Sequence, residues 1–245
     1  MVVLDNLSKG YERAVPEGAQ LVSGDLLDSE GLRRVLAAGF DGVLHFAALS
    51  LVGESVEQPE RYYRNNVCGT LNLLEAMNQA NARNLVFSST AAVYGEPEEI
   101  PIPETSLPLP TNPYGSSKLA VDRLIGAVAK ARGLAATSLR YFNVAGASGR
   151  AHLLAIEAAK EGEHKIYNLG NGAGFSVREV IEVARQVTGR HIEAVESPRR
   201  PGDPPVLVAS SDKIRSELGW EPEKPKLEAM IFDAWNWMQA HPDGY

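Results

Sequence analysis

Tyr114 and Lys118 stand four residues apart in Tyr114-Gly115-Ser116-Ser117-Lys118. On a helix that spacing puts both on one face, where an ammonium can lower a phenol's pKa from its usual value of about 10 towards that of a general base. Such a pair also arises by chance, so its position has to decide. Ser88-Ser89-Thr90 closes an apolar run upstream, and in parallel sheets ligands bind beyond the carboxyl ends of the strands. Hydroxyls there can hydrogen-bond a substrate oxygen, although by themselves they read first as ordinary strand-end caps. Taken together, Thr90, Tyr114 and Lys118 form a candidate acid/base site.

A second group suits a nucleotide. Asp5-Asn6 follows the first apolar run, where a carboxylate can accept from both hydroxyls of an adenosine ribose and repel a 2′-phosphate, which points to NAD rather than NADP. Asp25 ends the second run and can take an adenine amino group. Each aspartate alone is also an ordinary N-cap or turn residue. The stretch Gly170-Asn171-Gly172-Ala173-Gly174 is not a dinucleotide fingerprint, because its third glycine comes one residue too early.

These residues need a sheet to hold them. Runs at 2–4, 20–22, 42–46, 84–87 and 135–139 alternate little between apolar and polar, as strands buried on both faces do. Between them lie helical patterns: 28–38, opened by Asp28-Ser29; 59–80, led by Pro59; and 113–132, led by Pro113. The βαβα alternation predicts a doubly wound parallel α/β domain over 1–146, and 147–245 reads as a smaller mixed α/β substrate-binding lobe. Within that lobe 151–161, 176–187, 211–218 and 225–240 are predicted helical and 165–169 a strand. The segment 100–113, with five prolines, is predicted to be an exposed loop.

Composition narrows the classes. A chain of 245 residues, 44% hydrophobic and 22% charged, is long enough for a real core. Its 24 Lys plus Arg against 31 Asp plus Glu give a formal net charge of −7, so no nucleic-acid or membrane partner is expected. One cysteine, Cys68, and five scattered histidines leave no disulfide and no metal site to expect, and the reading is a cytoplasmic protein without a signal peptide or membrane span.

Ordered matches run along almost the whole chain: Leu4-Asp5-Asn6-Leu7-Ser8, His45-Phe46-Ala47-Ala48, Asn65-Asn66-Val67, Ser88-Ser89-Thr90, Tyr114 with Lys118, Arg140-Tyr141-Phe142-Asn143, and Arg199-Arg200-Pro201-Gly202-Asp203. With these the chain resembles the extended short-chain dehydrogenases/reductases, and among them the epimerases of UDP-hexoses. The resemblance implies a retained NAD and interconversion of UDP-galactose and UDP-glucose at C4 through a 4-keto sugar. UDP-pentose or UDP-N-acetylhexosamine substrates, or an inactive NAD-sensing relative, are the alternatives. It implies that Tyr114 is the acid/base, that Lys118 tunes it and grips the nicotinamide ribose, and that Thr90 holds the 4-hydroxyl.

By the same resemblance Asp5, Asn6, Asp25 and Leu26 bind the adenosine, Phe46, Ala47 and Ala48 line the pyrophosphate side, and Asn66, Ser88 and Tyr141 meet the nicotinamide. Asn143, Arg200 and Asp203 take the sugar nucleotide, and a homodimer is expected. The related dehydratases place Asp-Glu after the Thr, where this chain has Ala91-Ala92; a methyl group moves no proton, which disfavours dehydration. The family pattern also has a strand with a Gly-rich loop ahead of the run at 2–4, and several dozen residues where Arg150 here meets Ala151. A Rossmann-like sheet incomplete at that strand is therefore expected. Leu207 stands where some members carry a Tyr that narrows the sugar pocket, which leaves sugar choice open.

Overall fold

The computed structural model describes residues 1–142, 149–172, 174–198, 206–242 and 244. Six parallel strands form two sheets. In the first, β1 (Val2–Asp5) pairs with β2 (Gln20–Ser23), with Val2 opposite Gln20. In the second, the order is β3 (Val43–His45), β4 (Asn84–Thr90), β5 (Ala135–Tyr141), β6 (His164–Leu169). Among the described residues no strand joins β1 to β3, yet Leu4 and Val43 pack against the same core cluster. The sheet is thus interrupted where the resemblance expects a further strand.

Alternation along β4 sorts the core into two layers. Leu85 and Phe87 face one way, onto Leu73, Leu74 and Met77 of α4 (Gly69–Gln79) and Val121 and Ile125 of α5 (Pro113–Arg132). Val86 faces the other way, with Leu139 and Leu169, onto Ala151 and Ala155 of α6 (Gly149–Glu157) and Ile214 of α8 (Asp212–Leu218), with Trp220 beyond it. Helices therefore cover both faces, as double winding requires. The strand expected in the 147–245 lobe is β6, bonded along β5 from Ala136↔His164 to Tyr141↔Leu169, so the sheet runs on across position 146. Outside it, α7 (Val177–Thr188) and α9 (Leu227–Ala240) pack on each other.

Local signals explain the helix ends. Asp28 caps α1 (Ser29–Leu36) by accepting from Gly31 N at 2.9 Å. Asn112 caps α5 by accepting from Gly115 N at 2.8 Å, Pro113 occupies the first turn, and Gly133 ends the helix at φ +71°. Because Asn112 is buried, Asn112→Ala leaves an N–H without its acceptor. We expect a loss of about 1–2 kcal/mol in urea unfolding, with Asn112→Asp recovering most of it.

Two regions differ from expectation. The pattern at 59–80 is not one regular helix: α3 (Pro59–Tyr62) leads into a π-helical stretch, Tyr63–Cys68, before α4, and a short α2 (Val52–Glu57) precedes them. The proline-rich 100–113 segment is not simply exposed. Ile102 is fully buried, donates its N–H to Val208 O at 2.8 Å and accepts from Ser210 N at 2.9 Å, a one-residue parallel bridge with Ala209. Gly95, at φ +65°, lets Leu109 O approach within 2.0 Å of where a Cβ would stand, so only glycine fits.

Candidate active site

The N-terminal turns of α5 lie against the carboxyl end of β4. There the Thr90 hydroxyl is close enough to the Tyr114 phenol to lower its pKa, and Thr90 Oγ1 accepts from Ala92 N at 3.2 Å, which fixes its rotamer. The Tyr62 ring meets Tyr114 edge to face with centroids 6.4 Å apart. One turn on, the buried Lys118 Nζ donates to Ser88 O at 2.7 Å and sits 4.6 Å from the Phe87 centroid. The three residues read as an acid/base site are therefore brought together.

The electrostatics differ from the reading of the sequence. Burial pushes the Tyr114 phenol up, and the group that pulls it back is Thr90. Lys118 is held down to about 8 by burial, with the Asp122 carboxylate opposing. The expected lowering of Tyr114 by Lys118 is thus corrected, because the ammonium is turned to the Ser88 carbonyl. Tyr114 is a protonated phenol at neutral pH in this structure, ready to donate.

Around this pair, burial raises the Tyr141 phenol to about 12, with the nearby Ser88 hydroxyl opposing. His152 was not singled out in the sequence, yet α6 brings it to the Tyr141 hydroxyl, and its ring lies 4.7 Å from that of Phe46. The sequence held no spacing signal for it, since the contact is made only by packing α6 on the sheet. Phe46 is 55% exposed at the break between β1 and β3, Ala47 is exposed and Ala48 half-buried. Asn66 is an internal tie: Nδ2 donates to Leu49 O at 3.1 Å and Ser117 Oγ at 3.0 Å, and Oδ1 accepts from Leu49 N at 2.9 Å. It fixes the loop after β3 to α5. Below it, Thr70 Oγ1 gives its proton to Asn66 O at 2.6 Å, so His45 Nε2, 2.8 Å from Thr70 Oγ1, is the protonated nitrogen. Burial first, and Lys118 second, push His45 down to about 3.

Across the break, the carboxyl ends of β1 and β2 join in one cluster. Asp5 Oδ1 accepts from Leu7 N at 2.6 Å, Asn6 Nδ2 donates to Asp25 Oδ2 at 2.8 Å, and Asp25 Oδ1 accepts from Leu27 N at 2.8 Å. Both aspartates are turn formers as well as candidate ligands. The Leu26 side chain lies in the core with Leu32 and Leu73, and its carbonyl accepts from Asn72 Nδ2. Asn143, Arg200 and Asp203 lie outside the described residues. Leu207 packs on the buried cluster of Ala91, Val93 and Ile102.

A dinucleotide fits this donor set. Asp5 and Asp25 stand at the carboxyl ends of β1 and β2, and Lys118 with Ser88, Thr90 and Tyr114 at that of β4, groups whose chemistry suits the ribose hydroxyls and the reacting end of a dinucleotide. Among the described residues no cluster of three or more metal-type ligands occurs, and no helix is long and apolar enough to cross a membrane.

Comparison with known proteins agrees. Residues 1–191 match the model of the NAD dependent epimerase/dehydratase family. A UDP-glucose 4-epimerase of Streptomyces lividans is 47% identical over 298 aligned positions, covering 100% of this chain and 90% of that protein, so the relative carries residues inside the matched span that this chain lacks. The UDP-glucose 4-epimerase from Corynebacterium glutamicum is 43% identical, with 99% and 89% covered. The crystal structure of UDP-glucose 4-epimerase from Bifidobacterium longum in complex with NAD+ and UDP superposes with a TM-score of 0.93 at 31% identity, covering 100% of this chain and 92% of that one. On the site geometry, the two-faced parallel fold and these matches, the chain belongs to the NAD dependent epimerase/dehydratase family, within the extended short-chain dehydrogenases/reductases.

Proposed function

We propose that the protein inverts C4 of UDP-galactose and UDP-glucose, working as a cytoplasmic homodimer with NAD retained between turnovers. The observation that carries the reading is the placement of Tyr114 and Lys118, one turn apart on α5, against the carboxyl end of β4, with Lys118 Nζ bonded to Ser88 O and Thr90 beside the Tyr114 phenol. Bound NAD supplies a place for the C4 hydride to go and return from, so the reaction is neutral in electrons. In its phenolate form, whose share grows as pH rises, Tyr114 Oη would take the 4-hydroxyl proton as the carbinol is oxidised and give it back when the 4-keto sugar, turned over in the site, is reduced on its other face. Thr90 holds that oxygen in line, and Lys118 keeps a positive charge under the reacting groups. Asp5 and Asn6 receive the adenosine ribose, Asn143 at the end of the 1–146 domain takes the sugar nucleotide, and Arg200 and Asp203 of the 147–245 lobe hold its phosphates and ribose.

Epimerisation is favoured over the dehydration that the family also includes, because Ala91 is buried and neither it nor Ala92 can carry a proton. The test is conversion of UDP-galactose by the purified protein, followed as UDP-glucose formed, with bound nicotinamide measured in the same sample. We expect conversion without added oxidant. Turnover of a UDP-pentose or UDP-N-acetylhexosamine in its place would reassign the substrate, and no turnover with no bound nicotinamide would overturn the reading.

A further inference from the structure

Asp122 continues the Tyr114, Lys118 face of α5 by one more turn, and the acid/base reading gives it no role. It is buried, and its Oδ2 gathers three donors: Ser89 Oγ of β4 at 3.2 Å, and Arg140 Nε and Nη2 of β5 at 3.1 and 2.9 Å. Arg140 Nη1 goes on to donate to Tyr94 OH at 2.8 Å, and Tyr94 OH to Asn168 Oδ1 of β6 at 2.8 Å. Two consecutive turns of α5 are thus tied to β4, Lys118 to Ser88 O and Asp122 to Ser89, and the turn before them places Tyr114 beside Thr90. Slippage at Asp122 would be transmitted along a rigid helix to Tyr114. The second oxygen, Oδ1, is buried with no hydrogen-bond donor, an expensive arrangement if the carboxylate served Arg140 alone.

We propose that Asp122 is a positioning residue for the acid/base pair: its carboxylate locks α5 on β4 and β5, and stands as a counter-charge one helical turn from the buried Lys118. This rests on the epimerase reading above. The charged or titratable groups that face Asp122 are Lys118 on its own helix, Arg140 on β5 and His164 on β6. Arg140 is bonded to it directly, and His164 is turned to Ser138 Oγ at 2.8 Å. Asp122 is also the group that opposes burial at Lys118. Without it the ammonium loses its proton at lower pH, and the alkaline limb of activity moves down with it.

The experiment compares the parent protein with Asp122→Asn, Asp122→Glu and the double variant D122N/R140Q, reading kcat/KM against pH, retention of the cofactor on gel filtration against pH, and unfolding in urea. The double variant removes the unpaired guanidinium that Asp122→Asn leaves, so it keeps the test alive if the single variant fails to fold. We expect D122N/R140Q to recover stability. Its kcat/KM and its cofactor retention at moderately alkaline pH, relative to neutral pH, should still fall about tenfold, equivalent to one unit on the pH axis. Asp122→Glu should restore the limb. A double variant with the parent's pH profile would show that Asp122 merely neutralises Arg140 and would overturn the proposal.

Should the parent itself fail to turn over, the epimerase reading fails and the urea series still decides the role of Asp122. A lysine with a lowered folded pKa burdens the native state below that pKa and is relieved as pH rises towards its unfolded value. The relief begins near pH 8 in the parent and must begin at lower pH in D122N/R140Q; an unchanged onset refutes the counter-charge.

Discussion

Tyr114→Phe is expected to lower kcat by about 10²- to 10⁴-fold, roughly 3 to 5 kcal/mol of barrier, while the protein stays folded and keeps its nicotinamide. The substitution removes one oxygen. The ring's edge-to-face contact with Tyr62 depends on the carbons and survives; what is lost is the hydroxyl that meets Thr90 and exchanges a proton with the sugar. The measurement is kcat for UDP-galactose beside the cofactor's near-ultraviolet absorbance after reduction. A fall in turnover with unchanged cofactor content places the defect in proton transfer, whereas loss of both would make Tyr114 a structural residue. The pH profile adds a sign. Burial pushes the phenol up, so the fraction able to accept a proton grows as pH rises. Lys118, held down to about 8, begins to lose its charge in the same range. Activity should therefore climb from neutral pH and turn over on the alkaline side, and Tyr114→Phe should flatten the climb.

Arg140→Met should be the most damaging single change to stability away from the apolar core, costing about 3–5 kcal/mol. The pair it breaks is almost wholly enclosed, with side-chain exposures of 3% and 2%, and the guanidinium contacts Asp122 through two nitrogens. Methionine fills much the same volume but leaves Asp122 a buried carboxylate with only Ser89 to solvate it. It also deprives Tyr94 OH of a donor and removes the cation 4.8 Å from the Tyr94 ring. The check is the denaturant midpoint at constant m-value. A second arm, Arg140→Met with Asp122→Leu, should recover much of the loss, because two apolar groups need no partner. A loss below about 1 kcal/mol would mean that water reaches the site and the pair is worth no more than a surface bridge.

The strands were legible because parallel strands covered on both sides must be apolar almost throughout, and that pattern survives without tertiary knowledge. The end of β4 was harder. It runs on through Ser88, Ser89 and Thr90, polar residues that belong in a strand only because Lys118, Asp122 and Tyr114 wait opposite them. The start of α5 was written in Asn112-Pro113, a cap and a first-turn proline that act locally. Ile102 was hidden for the opposite reason: proline density around it signals a loop, and only Val208 and Ser210, about a hundred residues on, turn that loop inward. Tyr114, Lys118 and Thr90 were found as a group because helix spacing and the strand-end rule are geometric. The direction of the Tyr114 shift was not, since burial is a property of the whole fold. The role of the Asn66 amide as a tie to Leu49 and Ser117 leaves no trace in the sequence either, since both partners are brought to it only by the fold.

The π-helical stretch Tyr63–Cys68 has a bearing on how this helix tolerates change. One surplus residue in a turn advances everything before it by about 100° around the axis relative to everything after it. Tyr62 and the layer of Leu73, Leu74 and Met77 can for that reason both look inward, one towards Tyr114 and the other onto Leu85. Deleting a single residue between 63 and 68 would produce a more regular helix and a worse protein, with Tyr62 swung out of line while the apolar layer stayed in place. The irregular turn works as a phase adjuster, and its length is as constrained as any side chain in the site.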